Sequence, residues 1–330
     1  MRFGLIALAG LLSVFGGSAW AANAAQELAL VGEHPVEGIE AGNLSGLAWC
    51  GDGLWAVSDR DDGVLYRLDA SETIWRAESE PFTAPPPPDS GLSWGTRVRS
   101  LLTGLVRGGK LDFEGLSCDG LGNRYLVSEA YAAVLRVSPA GKAEWLQLPD
   151  GLVRQARASG MLLRFNAMFE GITVDPEANR LWLAAEHSRR GLLVMHRTQT
   201  SWRCTGGCVL IAQGGQQSPP PAADETDQPR RFSGLAFYKD RLFTLEPVNY
   251  RICRRTPDTG DRERCWSYAG TAMDESRRYD TPYGNAESLW IDEQGAWVGI
   301  DNNDLTRADG EKRPVVWRFA APQDGWSAKQ

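Results

Sequence analysis

One pattern recurs five times along these 330 residues, and no other feature narrows the possible folds as far. Each copy has a short polar start, a first strand, a turn, and a second strand that ends in an acid. The copies are NLSGLAW (residues 43 to 49) with a strand ending at Asp59, LDFEGLS (111 to 117) with one ending at Glu129, and MFEGITV (168 to 174) with one ending at Glu186. RFSGLAF (231 to 237) with Glu246 and NAESLWI (285 to 291) with Asp301 complete the set. Self-similarity at a fixed order marks a repeat architecture.

The second strands, such as LWAVSD, RYLVSE and LWLAAE, are rich in Leu, Val, Trp and Tyr and follow turn sequences such as Cys50-Gly51-Asp52-Gly53. That is hairpin chemistry, without helical periodicity. A third strand follows in every unit, near 64 to 70, 133 to 139, 191 to 197, 250 to 255 and 314 to 320, and four units offer a fourth. Repeated units of four antiparallel strands are propeller blades, so the expected fold is an all-β propeller of five four-stranded blades. The last unit runs out of chain after its third strand, and the segment from Glu27 to Glu33 is expected to complete it by pairing with 314 to 319. From Ser45 to Glu114, Glu170, Ser233 and Glu287 the intervals are 69, 56, 63 and 54 residues. A compact blade takes about 40 to 50. The excess falls in Pro81 to Lys110, in a helical stretch from Gly151 to Phe165, and in Gln213 to Arg231. Six blades remain the alternative, with the extra one in the first insertion, although its prolines disfavour strands.

Arg2, the apolar run from Leu5 to Phe15 and the small residues up to Ala21 read as a signal peptide cleaved after Ala21. The expected organisation is a leader over 1–21 and one propeller domain over 22–330, free in the periplasm or secreted, monomeric, and with no membrane span. The net charge of −7 disfavours nucleic acid as a partner. Six cysteines in an exported chain favour disulfides. Cys204 with Cys208 and Cys253 with Cys265 bracket turns, which leaves Cys50 with Cys118 by elimination; zinc at Cys204 and Cys208 lacks a CxxC or a close Cys/His partner. Most of the 13 tryptophans are expected to pack between blades.

In a blade the first strand lines the channel and the second runs back beside it. Glu114, Glu170 and Glu287 should therefore gather at one rim with Asp59, Glu129, Glu186, Glu246 and Asp301. So many like charges need compensation. One reading is a calcium ion on the axis, held by these eight carboxylates with Asn43, Asn166, Asn285, Asn302 or Asn303 adding neutral oxygens. The other is structural, each acid accepting N–H groups of the neighbouring blade and pairing with Arg60, Arg164, Arg189 or Arg251. His187, directly after Glu186, is the candidate general base. No HExxH or Gly-rich phosphate loop occurs.

At SGLAW with VSD, LDFEGL, MFEGIT, LWLAAE, and NAESLWID with GIDNND, the chain resembles the phytase-like family of exported propellers, also called "esterase-like activity of phytase". The resemblance covers nearly all of the mature chain and implies ester or phosphoester hydrolysis. Two functions follow. One is a calcium-dependent hydrolase of a small-molecule ester or phosphoester; the other is a non-catalytic propeller that binds a partner or envelope component.

Overall fold

The computed structural model describes residues 25–328 apart from 40–41, 52, 90–91, 93–109, 165–167, 187–188, 220–226 and 282–284. Five antiparallel blades lie within the described residues. The first runs outward through Gly46–Cys50, Gly53–Val57, Val64–Asp69 and Trp75–Pro81, and the second through Phe113–Cys118, Arg124–Ser128, Ala133–Val137 and Ala143–Trp145. The third comprises Phe169–Val174, Arg180–Ala185 and Arg189–Arg197, edged by Val209–Gly214 and the short Trp202–Arg203. Leu235–Tyr238, Arg241–Glu246, Arg251–Arg255 and Arg262–Ser267 make the fourth. Ala286–Ile291, Gly295–Ile300 and Val315–Ala320 begin the fifth. Its outermost strand is Leu30–Glu37, paired antiparallel with Val315–Ala320 from Leu30 opposite Phe319 to Pro35 opposite Val315.

The N-terminal strand thus closes the ring as expected, but three residues later than its apolar pattern suggests. Gln26–Glu27 pairs instead in parallel with Trp266 and Ser267 of the fourth blade. The far end of the closing strand reaches the first blade, Val36 and Glu37 lying opposite Trp75 and Arg76. Both edges that a ring opening would expose are covered this way.

The five inner strands touch in a closed cycle, first to second, third, fourth, fifth and back to the first. A hydrophobic cluster fills each of the five gaps. Trp55, Val57, Phe113 and Leu126 pack between the first two blades, Trp182, Leu235 and Leu242 between the third and fourth, and Trp75, Trp297 and Val316 between the fifth and first. The buried tryptophans are therefore inter-blade packing. Trp182 stacks on Phe237 of the next blade at 5.0 Å, and the Arg124 guanidinium covers Trp55 at 3.8 Å.

The repeated glycine has a steric cause. A Cβ on Gly46 would meet Leu116 N at 2.7 Å, one on Gly115 would meet Glu170 O at 2.5 Å, and one on Gly234 would meet Leu289 N at 2.8 Å. Each is the backbone of the following blade, so the ring can be this tight only where the motif lacks a side chain.

All three disulfides join the expected partners, with Cα separations of 5.4 Å for Cys50–Cys118, 4.8 Å for Cys204–Cys208 and 4.1 Å for Cys253–Cys265. Cys50–Cys118 ties the ends of the first two inner strands together. The helix expected in 151–165 is Leu152–Ala158, and among the described residues no helix is long and apolar enough to cross a membrane. The insertion proposed for a sixth blade lies mostly outside the described residues, as does the leader.

Candidate functional site

Three inner strands carry a β-bulge at the same place. The register slips between Phe113 and Gly115, between Phe169 and Gly171, and between Ala286 and Ser288. The extra residue is Glu114, Glu170 or Glu287, the repeated glutamate in each case. A bulge leaves its residue outside the ladder and re-aims the side chain. Glu170 and Glu287 line the axial cavity with Ser45 and Ser233, which fill the same slot in the first and fourth blades.

A second repeated bond brings the closing acids alongside. The N–H of Glu129 donates to Asp112 O at 2.8 Å, that of Glu186 to Met168 O at 3.0 Å, and that of Asp301 to Asn285 O at 2.8 Å. In the first blade the N–H of Asp59 donates to Ser45 Oγ at 3.2 Å instead. The acceptor backbone in the three acidic copies lies two residues before the bulged glutamate, a position where sequence reasoning picked out Asn43 and Asn285 as neutral oxygens but gave Asp112 and Arg231 no role. It holds Asn43, Asp112, Met168, Arg231 and Asn285 in the five copies.

Two of these residues define the site. Asp112 joins Asp59 and Glu114, with one carboxylate oxygen from each lying within 4.8 Å of the others. Two ligands of one calcium ion, each at about 2.4 Å, can be no more than about 5 Å apart, so the trio fits a shared ion. Asn43 donates from Nδ2 to Asp59 Oδ1 at 3.1 Å, while its Oδ1 is buried with no hydrogen-bond partner among the described residues. That adds a neutral oxygen beside the trio. All these donors are hard oxygens, which suit calcium, magnesium or manganese and not a thiolate-seeking metal.

Arg231 organises the other side. Its Nη2 lies 2.6 Å from Glu186 Oε1, 3.6 Å from Glu170 Oε2 and 3.9 Å from Glu287 Oε1. Its place at the start of RFSG was the available signal. The arginines expected here, Arg60, Arg164, Arg189 and Arg251, are only partly those observed, since Arg60 pairs with Asp304 at 2.7 Å and Arg251 with Glu246.

The electrostatics follow from burial and crowding. Burial, then the charges of Asp112 and Asp59, push the Glu114 carboxyl well above its ordinary value. Glu129 is raised by burial and by Asp112 and Glu186, although the Met168 N–H opposes the shift. Glu170 is raised by burial and Glu186 against the pull of Arg231. Burial brings Glu287 to about 7 and Asp301 to about 6, with Arg231 and the Asn303 N–H respectively acting against it.

Glu246 is set apart. Arg255 Nη2 donates to its Oε1 at 2.8 Å, Arg251 donates twice to Oε2, and Arg190 Nη1 lies 3.1 Å from Oε2. Burial alone would raise this carboxyl, but the three guanidinium groups outweigh it and bring it to about 2. Both oxygens are already engaged. His187 and Asn166 lie outside the described residues.

A sequence model of the phytase-like family, described as esterase-like activity of phytase, matches residues 39–204. No curated protein sequence matches the chain. Among solved structures, the glutaminyl cyclase of Myxococcus xanthus is 10% identical with a TM-score of 0.49, over 89% of this chain and 97% of that one. A nidogen/laminin complex is 13% identical with a TM-score of 0.45, over 84% and 85%. Virginiamycin B lyase from Staphylococcus aureus is 13% identical with a TM-score of 0.38, over 88% and 74%. The family match takes in the first three bulged or slot positions, Ser45, Glu114 and Glu170, and spans half of the sequence, and the chain belongs to the phytase-like β-propeller family.

Proposed function

We propose that the axial rim binds a divalent cation, calcium by the chemistry of its donors, and that the ion serves hydrolysis of an ester or phosphoester. The observation that supports this reading is the meeting of Asp59, Asp112 and Glu114, from two adjacent blades, within reach of one ion. Calcium tolerates the irregular oxygen cages that separate strands provide.

A bound calcium ion would polarise a carbonyl or phosphoryl oxygen and lower the pKa of a water molecule. The chain's own residues would do the rest. Glu287, with its carboxyl near 7, can take up or release a proton at neutral pH. Arg231 fixes Glu170 and Glu186 beside it. His187 adjoins Glu186 in sequence and is kept as the candidate base. The ligand would be a small-molecule ester or phosphoester and not a nucleic acid, which the net charge of −7 repels.

Export is part of the same proposal: a leader over 1–21, then a single domain, monomeric, in the periplasm or outside the cell. Three disulfides and no free cysteine support an oxidising compartment.

A second reading, a non-catalytic binding propeller of the envelope, draws on one observation. Glu129, Glu186 and Glu246 already make internal contacts, with Met168 N, Arg231 and the three arginines. Elemental analysis of the purified protein, with an ester and phosphoester panel run in calcium and in excess chelator, separates the two. Bound calcium and turnover lost both in chelator and in Asp112→Asn support the hydrolase. A calcium-loaded protein that turns over nothing on the panel, or turnover indifferent to chelation, sinks it.

A further inference from the structure

The fourth blade differs from the second at all three of its rim positions. Ser233 occupies the glutamate slot and donates from Oγ to Ala286 O at 2.6 Å. Glu246 ends the second strand but is enclosed by Arg190, Arg251 and Arg255. Two residues before the slot, where the second blade places Asp112, this blade places Arg231. The fourth blade thus places an arginine where the second places an aspartate.

The position of that charge is specific. A single nitrogen, Arg231 Nη2, lies among carboxylates of the third and fifth blades, those of Glu186, Glu170 and Glu287. Three acids from separate strands converging on one point are what a divalent ion would require there. We propose that Arg231 is the built-in second cation of the rim, holding the place a second ion would take between Glu170, Glu186 and Glu287, and so limiting the site to one exchangeable ion at Asp59, Asp112 and Glu114. The inference rests on the cation reading above for that first ion only.

The backbone around Arg231 is anchored on both sides. The Phe232 N–H donates to Glu186 O at 3.1 Å, and Arg190 Nη1 donates to Arg231 O at 3.3 Å. The Phe232 ring lies under the guanidinium groups of Arg190, at 4.2 Å, and Arg255, at 5.0 Å. Arg190 and Arg255 are both 2% exposed and both paired with Glu246. The arginine cage around Glu246 therefore has a use: it fixes the segment before Leu235–Tyr238 that delivers Arg231. A tethered monovalent cation offsets part of the charge of the three acids without dissociating, and like carboxylates this close without it would repel one another more strongly.

Calorimetric titration with calcium chloride, with calcium content measured by elemental analysis after dialysis, tests this on the wild type, Arg231→Met and Arg231→Lys. Arg231→Met should bind one more calcium ion per chain than the wild type, and Arg231→Lys, which keeps the charge, should match the wild type. A folded Arg231→Met with wild-type stoichiometry overturns the proposal. Should that variant fail to fold, Glu287→Gln decides: calcium affinity close to wild type supports a divided rim, while a loss as complete as in Asp112→Asn places Glu287 with the first ion and overturns it. A wild type that takes no calcium defeats the functional reading separately, since Arg231→Met should still gain an ion.

Discussion

The backbone N–H of Met168 donates to Glu129 Oε1 at 3.0 Å, so a rim carboxylate of the second blade holds the start of the third. Glu129 is buried, and removing the acceptor strands a buried donor, at a cost of about 1–3 kcal/mol. Glu129→Ala should lose that much in denaturant unfolding. Glu129→Gln keeps an acceptor oxygen and should lose clearly less. Equal losses in the two variants would show that the charge, and not the bond, matters.

Glu246 sets an acid limit. Its carboxyl titrates at about 2 in the fold against an ordinary 4.5, so between these values the folded chain binds fewer protons than the unfolded one. The stability it contributes is present above pH 4.5 and lost as pH falls toward 2. The shift corresponds to about 3 kcal/mol. Glu246→Gln should unfold more easily at neutral pH, and its stability should fall less steeply than that of the wild type below pH 4.5. Parallel acid-unfolding curves for the two proteins would count against the arginine cage as the cause.

The disulfides should differ in weight. Cys50–Cys118 spans 68 residues and Cys204–Cys208 only 4. By loop-closure entropy the first is worth about 4 kcal/mol and the second about 2. Replacing Cys50 and Cys118 by Ala should lower the melting temperature more than the same change at Cys204 and Cys208. The opposite order would mean that native packing, not chain entropy, governs both.

Much of this architecture is legible because its causes are local. Alternating apolar strands and Gly-rich turns mark the blades, and the missing last strand points to the N-terminus for closure. The start of that strand was misplaced because Leu28, Ala29 and Leu30 are as apolar as a strand, whereas pairing with Phe319 begins only at Leu30. The rim was half legible. The glutamate slot shows as a repeat, but its bulge is a property of hydrogen-bond register between strands and leaves no mark in the motif. Asp112 and Arg231 lay inside quoted motifs at a position that varies from copy to copy, so repetition could not reveal them. Glu246 looked like its counterparts because its arginines arrive from elsewhere, Arg251 and Arg255 from the third strand of its blade and Arg190 from the preceding one.

The rim should give the metal-free protein the opposite pH response to that of Glu246. Glu287 at about 7 and Asp301 at about 6 stand above their ordinary 4.5 and 3.8, so the folded chain keeps protons that the unfolded chain has released. Their contribution is full below about pH 4 and is lost as pH rises through 6 to 7. In chelator the melting temperature should therefore fall between about pH 5 and 7.5. On the proposed cation reading, calcium would require ionised carboxylates and the assembled ring, so at saturation it would stabilise more as pH rises and should flatten or reverse that fall. Asp112→Asn removes one of the three converging carboxylates and should keep the downward slope even with calcium present. Melting curves with the same slope in calcium and in chelator, for the wild type, would mean that the rim carboxylates are compensated from within the protein and hold no ion.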